Sequence, residues 1–292
     1  MENYVEARFA AAQARGDKGT TTVDQERIIW GTFRTHALKK KWAIDLPEME
    51  TPKPSSQPRT PFTLAEWYYL TEDFGPKWVA SARGGQFHFE LYGRPNTFLY
   101  VCILGETGMR PTEAYRLKWG DIIIDKKDTG ETPNLLETLS EEEDIRWEGY
   151  DTYIYVEGKA KLGEFHAKDK VVKWLQDLYL LHCKTFGEPT LNDYLFRNET
   201  TGEPLKYFQG GWRKLMSASK LLLSKDGKQR TINSLRHTYA ERRAQEDGWG
   251  PGELKDNMRT SDRLIRTVYD KTSQRTKVRA QRERERLRDA GT

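Results

Sequence analysis

The chain is poor in cysteine, in long apolar runs and in glycine-rich loops, and each shortage removes a class of protein. Only Cys102 and Cys183 occur among 292 residues, isolated from each other and both inside apolar runs. That pattern excludes a disulfide scaffold and a cysteine-based zinc site. No apolar stretch approaches the roughly 20 residues needed to cross a bilayer. Met1 to Arg15 carries acids and no apolar core segment, so a secretory signal is not expected. Without a glycine-rich phosphate loop, an NTPase or dinucleotide enzyme is disfavoured. No internal repeat is visible. The expectation is a soluble intracellular protein.

What is present is a polar chain with a substantial core. Hydrophobic residues make up 36% and charged residues 32%, but the 12% aromatic content is too high for a disordered chain. The length suits one large domain or two modest ones. Net charge is only +4, yet it is unevenly placed. Ten acids face three bases between Asp125 and Asp151, whereas from Lys225 to the C-terminus eighteen bases face eleven acids. Such asymmetry suits a molecule with one face toward a polyanion, and equally a mixed surface with a solvated basic tail.

Residues 1–48 read as helical, with Ile28, Ile29, Phe33, Ala37 and Trp42 close to helical spacing in Val23–Trp42. Five prolines between Leu46 and Pro61 then predict an extended linker, placed at 49–61. Thr63 and Glu66 predict a capping box at the head of a helix over Thr63–Thr71. Asn96–Leu104 reads as a buried helix, and Pro111 fits the first turn of the next, leaving Arg110 at its cap. Short strands are expected at Asp121–Asp125, Thr152–Val156 and His166–Val172, the last two as a hairpin, with the acidic segment between the first two as a loop. Helices are expected over Val172–Cys183, Tyr207–Lys220, Ser234–Asp247, Gly252–Met258 and Asp262–Tyr269. This is an α+β, mainly α, pattern with one small antiparallel sheet. The body runs over 62–272, followed by a basic tail, 273–292.

Three segments stand out for chemistry. Thr107-Gly108-Met109-Arg110-x-x-Glu113-x-x-x-Leu117-x-Trp119-x-Asp121 sets an arginine just before a helix, with a carboxylate able to aim it. Asn233-x-Leu235-Arg236-His237-Thr238-Tyr239-Ala240 sets another in a first helical turn. Met258-Arg259-Thr260-Ser261 is followed by Tyr269, nine residues after Thr260. Taken singly, each has an ordinary structural reading: a capped surface arginine, a basic helix face, a half-buried tyrosine.

Together, in this order and spacing, they resemble the tyrosine recombinase (phage integrase) family over about Pro61 to Thr272. The resemblance implies a helical DNA breaking-rejoining domain. Tyr269 would be the nucleophile, Arg110 and Arg236 the phosphate clamp, and Glu113 would orient Arg110. The family's hairpin lysine has two candidates, Lys161 and Lys159, with Lys161 preferred as general acid. Asn233 and Thr260 stand where most members carry His; they can donate hydrogen bonds but cannot shuttle a proton near pH 7. His237 is the nearest substitute. Arg259, where Gly is usual, adds charge beside the site and is expected on DNA, as is Lys159. No metal or other cofactor is implied. The implied partner is double-stranded DNA, bound by a homo-tetramer through C-terminal segment exchange, with no membrane involved; Arg275–Arg288 is either that segment or a non-specific DNA tail. The implied location is the cytoplasm of a bacterial or phage-infected cell, at the nucleoid. Residues 1–48 are too few for a complete core-binding domain. A catalytically silent DNA-binding protein and a type IB topoisomerase-like enzyme are the competing readings.

Overall fold

A computed structural model describes residues 7–8, 10–11, 20–49, 59–82, 89–141, 147–157, 162–168, 170–260 and 265. The chain divides into two compact units, Met1–Pro58 and Arg59–Thr292, and the division falls inside the proline-rich stretch.

In the first unit, helix α1 (Thr20–Lys39) stops short of Trp42, where Lys41 adopts a left-handed φ of 59° and turns the chain. The returning segment is held by Trp30 Nε1 and Arg34 Nε, which donate to the carbonyls of Pro47 and Leu46 at 2.9 and 2.6 Å. Ala37 is buried, but Ile28, Ile29, Phe33 and Trp42 are exposed. Their helical spacing therefore does not mark a core face within this unit.

The second unit starts with the expected capping box. Glu66 N–H donates to Thr63 Oγ1 at 3.2 Å, and Thr63 N–H donates back to the Glu66 carboxylate at 2.9 Å. Helix α2 (Leu64–Tyr68) runs through a π-helical turn, Tyr69–Phe74, into α3 (Gly75–Ala80). The axis of the unit is α4 (Arg94–Thr107), buried at every residue from Asn96 to Thr107. An all-round buried helix needs cover on several sides; α7 (Val171–Phe186), α8 (Gln209–Ala218) and α9 (Asn233–Glu246) supply it. After α4 come the short α5 (Pro111–Ala114) and, further on, α6 (Leu135–Glu141) and α10 (Pro251–Met258).

The sheet is three-stranded and antiparallel in the order β1 (Ile122–Lys126), β2 (Tyr150–Glu157), β3 (Leu162–His166). Ile122 lies opposite Ile154, and Ile154 opposite Phe165, so one face is apolar and buried. Two expectations need correction. The third strand ends, rather than begins, at His166: Val171 and Val172 are β-branched but form the first buried turn of α7. The acidic segment is not all loop, because Leu135 and Leu139, one helical turn apart, are buried and pin α6. The mainly helical α+β class stands as expected. Asp262–Tyr269 and the basic tail lie outside the described residues, apart from Ile265, which is fully buried. Among the described residues no helix is long and apolar enough to cross a membrane.

Candidate active site

Arg110 is positioned by a sharp turn between two helices. Helix α4 ends at Gly108, whose φ of +68° is strained for any L-residue; a Cβ there would also lie 2.3 Å from the Tyr239 ring. Met109 is buried and Arg110 is extended, at φ −76° and ψ 146°, as the N-cap of α5. Pro111 supplies a helix-ready φ at the first position. Glu113 reaches back twice, accepting from the Arg110 N–H at 2.8 Å and from Nη1 at 3.0 Å. The Arg110 side chain stays 43% exposed.

Arg236 lies in the first turn of α9 and is only 6% exposed. Its Nη1 donates to the Gly108 carbonyl at 2.6 Å, and its Nη2 donates to the Met258 carbonyl. Arg110 Nη2 donates to the next carbonyl in the chain, that of Arg259, at 3.4 Å. Two guanidinium groups distant in sequence therefore engage consecutive carbonyls at the end of α10. Bidentate donors of fixed charge held this way are suited to a tetrahedral anion.

Behind them is a second layer of polar contacts. The Tyr239 hydroxyl donates to the His166 carbonyl at 3.2 Å and accepts from Arg243 Nε at 3.0 Å and Asn257 Nδ2 at 2.5 Å. Burial pushes this phenol up to about 12, so it stays protonated. Asn257 Oδ1 accepts from the His166 N–H at 2.7 Å, tying the end of β3 to α10. Deeper still, Arg242 pairs with Glu106 at 2.9 Å, and Lys168 contacts both Glu246 and Asp247.

No family model and no curated protein matches the chain. Solved structures do. A lambda integrase dimer bound to a COC′ core site matches at a TM-score of 0.54 and 14% identity, over 92% of this chain and 80% of that one. A Tn1549 transposon integrase in complex with circular intermediate DNA matches at 0.53 and 16%, over 98% and 86%. The fold is that of the tyrosine recombinases. The XerH site-specific recombinase bound to difH substrate is 18% identical at a TM-score of 0.48, and the chain spans 57% of that protein's length.

In this tyrosine recombinase fold the remaining candidates fall as follows. Asn233 is the first residue of α9 and is exposed; Ile232 holds the cap position, and the Ser234 hydroxyl accepts the Thr231 N–H. His237 is half-buried on the same helix. Thr260, half-buried, follows α10 with its N–H on the Lys255 carbonyl at 3.1 Å. Arg259 takes a left-handed φ of 50° and turns its side chain onto the β2–β3 hairpin, where Nη1 donates to the Val156 carbonyl at 3.4 Å. Lys159, Lys161 and Tyr269 lie outside the described residues. Ile265, four residues before Tyr269, is buried in a cluster with Tyr239, Ala240, Leu254 and Met258. Beside Glu113, a cleft of about 430 Å³ is lined by Arg116, Lys118, Asp121 and Tyr155. The sequence reading missed Asn257 and the carbonyls of Gly108, Met258 and Arg259. Main-chain acceptors carry no residue signal, and an asparagine inside a helical pattern has none that distinguishes it.

Proposed function

We propose that this chain is a site-specific DNA recombinase or integrase that cleaves and rejoins strands through a 3′-phosphotyrosyl intermediate. The observation that carries the proposal is the convergence of Arg110 and Arg236 on the Met258 and Arg259 carbonyls, just before the segment bearing Thr260 and Tyr269. Ile265, four residues before Tyr269 in the sequence, is buried in the same cluster as Met258, at the end of α10.

Tyr269 attacks the scissile phosphorus, the bond to the 5′-oxygen breaks, and Lys161 gives that oxygen a proton. Lys159 is the alternative donor. A free phenol with a pKa about 10 is a poor nucleophile, so cationic neighbours must stabilise the phenolate and the pentavalent transition state. Arg110 and Arg236 clamp the non-bridging oxygens, and Glu113 orients Arg110. Asn233 and Thr260 donate hydrogen bonds to the phosphate. Since neither titrates near neutrality, the phenol proton passes to water or to His237. The reverse attack by a 5′-hydroxyl reseals a strand. The protein side chains alone account for the charge neutralisation, with no cofactor called for.

Duplex DNA is the proposed partner, bound through phosphate contacts that weaken with salt. Four protomers on two duplexes, exchanging C-terminal segments, complete the assembly. Residues 1–48 are a partial core-binding-like helical segment, 49–61 the linker, 62–272 the catalytic domain and 273–292 a basic tail. A silent DNA-binding role is the second reading, favoured by Asn233 and Thr260 in place of imidazoles.

The test is a pool of 5′-labelled duplexes with randomised cores and a nick that lets the short leaving strand escape. Wild type is expected to trap a covalent DNA–protein adduct on a denaturing gel, and Tyr269→Phe none. DNA binding without any adduct supports the silent reading. An adduct formed by Tyr269→Phe removes the assigned nucleophile. Relaxation of supercoiled plasmid lacking any recovered site identifies topoisomerase-like activity instead.

A further inference from the structure

We infer that Arg259 is a positioning residue that locks the β2–β3 hairpin to the arginine clamp, rather than a DNA contact. The inference rests on the recombinase reading and adds a role to it.

Four observations meet at this one residue. Its carbonyl accepts from Arg110 Nη2 at 3.4 Å. Its guanidinium donates to the Val156 carbonyl in β2 at 3.4 Å and lies over the Phe165 ring of β3 at 5.9 Å. The same group is seated on Gly163, where an added Cβ would fall 2.1 Å from Cζ and Nε. Its left-handed backbone, φ 50° and ψ 54°, turns the chain out of α10 and delivers the side chain to the hairpin. The seat is therefore shaped to this side chain: a glycine provides the space, a carbonyl the acceptor and an aromatic face the platform. Asn257, two residues earlier, fixes the other end of β3 through the His166 N–H and carbonyl. Two struts from the end of α10 thus set where the hairpin stands relative to Arg110 and Arg236. Lys159 and Lys161 fall between β2 and β3 in the sequence, so in the recombinase reading the group served is the proton donor for the leaving 5′-oxygen.

Two variants unseat the guanidinium by independent routes. Arg259→Gly removes it and suits the left-handed φ, so the turn is kept. Gly163→Ala leaves Arg259 in the chain but fills its seat; the atoms displaced are the far end of a flexible side chain. Both are compared with wild type on a duplex recovered from the adduct pool, and on the same duplex with a 5′-bridging sulfur at the scissile position. There the P–S bond breaks to release a thiolate, which needs no proton. Both variants are expected to cleave the ordinary duplex on the order of 10- to 100-fold more slowly and the sulfur duplex within about threefold of wild type. Amide exchange should rise in β2 and β3 alone. The dependence of affinity on salt should be unchanged, whereas loss of a phosphate contact lowers the log–log slope by about one.

Equal slowing on both duplexes, wild-type rates on both, or a reduced salt slope for Arg259→Gly would overturn the inference. If wild type forms no adduct with either duplex, the recombinase reading fails. Unchanged amide exchange in both variants would then remove the hairpin lock as well.

Discussion

The two ends of α9 face different tasks and are built differently. At its C-terminal end, positive charge is met by negative charge: Arg242 pairs with Glu106, both side chains at most 3% exposed, and Arg243 pairs with Asp247 at 2.8 Å. At its N-terminal end, Arg236 donates to the carbonyls of Gly108 and Met258. Ion pairing cancels a charge as it fixes it. A carbonyl fixes a guanidinium through a neutral dipole and leaves its formal charge in place. The rear of the helix is thus held by ion pairs and the front by main-chain carbonyls, and in the proposed function it is the front that meets a phosphate.

Breaking the rear should have the largest effect and should act on folding. Glu106→Ala leaves buried Arg242 with only the more distant Glu246, at 3.6 Å, as its counter-charge, and breaking a buried pair typically costs about 3–5 kcal/mol; urea denaturation reads it directly. Breaking the front should act on chemistry. Arg236→Lys keeps a cation but loses the planar fork. Its adduct formation should fall on the order of 100- to 1000-fold, while its urea midpoint moves far less than that of Glu106→Ala.

Acid sharpens the same contrast. Burial, with Arg197 adding to it, pulls the His182 imidazole down to about 3. Folded His182 therefore stays neutral while the unfolded chain takes up a proton below about pH 6.5. Stability present above that pH is lost as pH falls, by at most about 1.4 kcal/mol per unit, until the folded group titrates too. His182→Phe should flatten that slope in a series of denaturation curves. For Glu246, burial alone would raise the carboxyl; Arg242 and hydrogen bonds from Lys168 and Tyr68 outweigh it and hold it below its ordinary value. Its contribution is present above the usual carboxylate range and lost as pH drops through it, so the rear network gives way after His182. The smallest effect is expected at the periphery, where Thr63→Ala removes the cap of α2 at a cost of about 1 kcal/mol in the same assay.

Local chemistry made much of the architecture readable in advance. Thr63 with Glu66, and Arg110 ahead of Pro111, announced helix starts because a cap is a property of neighbouring residues. The run Asn96–Leu104 announced a buried helix because no charged residue interrupts it. Val171 and Val172 misled because β-branched residues favour strands until packing decides otherwise, and here they open α7. Leu135 and Leu139 were legible at helical spacing but overshadowed by the surrounding acids. At the site, Arg110, Glu113 and Arg236 stood out by spacing, whereas Asn257 and the seat of Arg259 on Gly163 depend on distant segments meeting. A glycine chosen to admit a guanidinium looks, in a sequence, like any other turn residue.

The most direct test of the front end is a duplex carrying one uncharged methylphosphonate at the scissile position. If Arg110 and Arg236 serve to neutralise that phosphate, Arg110→Ala and Arg236→Ala, slowed on the order of 100- to 1000-fold on the charged duplex, should recover to within about tenfold of wild type on the neutral one. An equal deficit on both duplexes would mean that the two arginines do not act on the scissile phosphate, and the account of the site would be wrong.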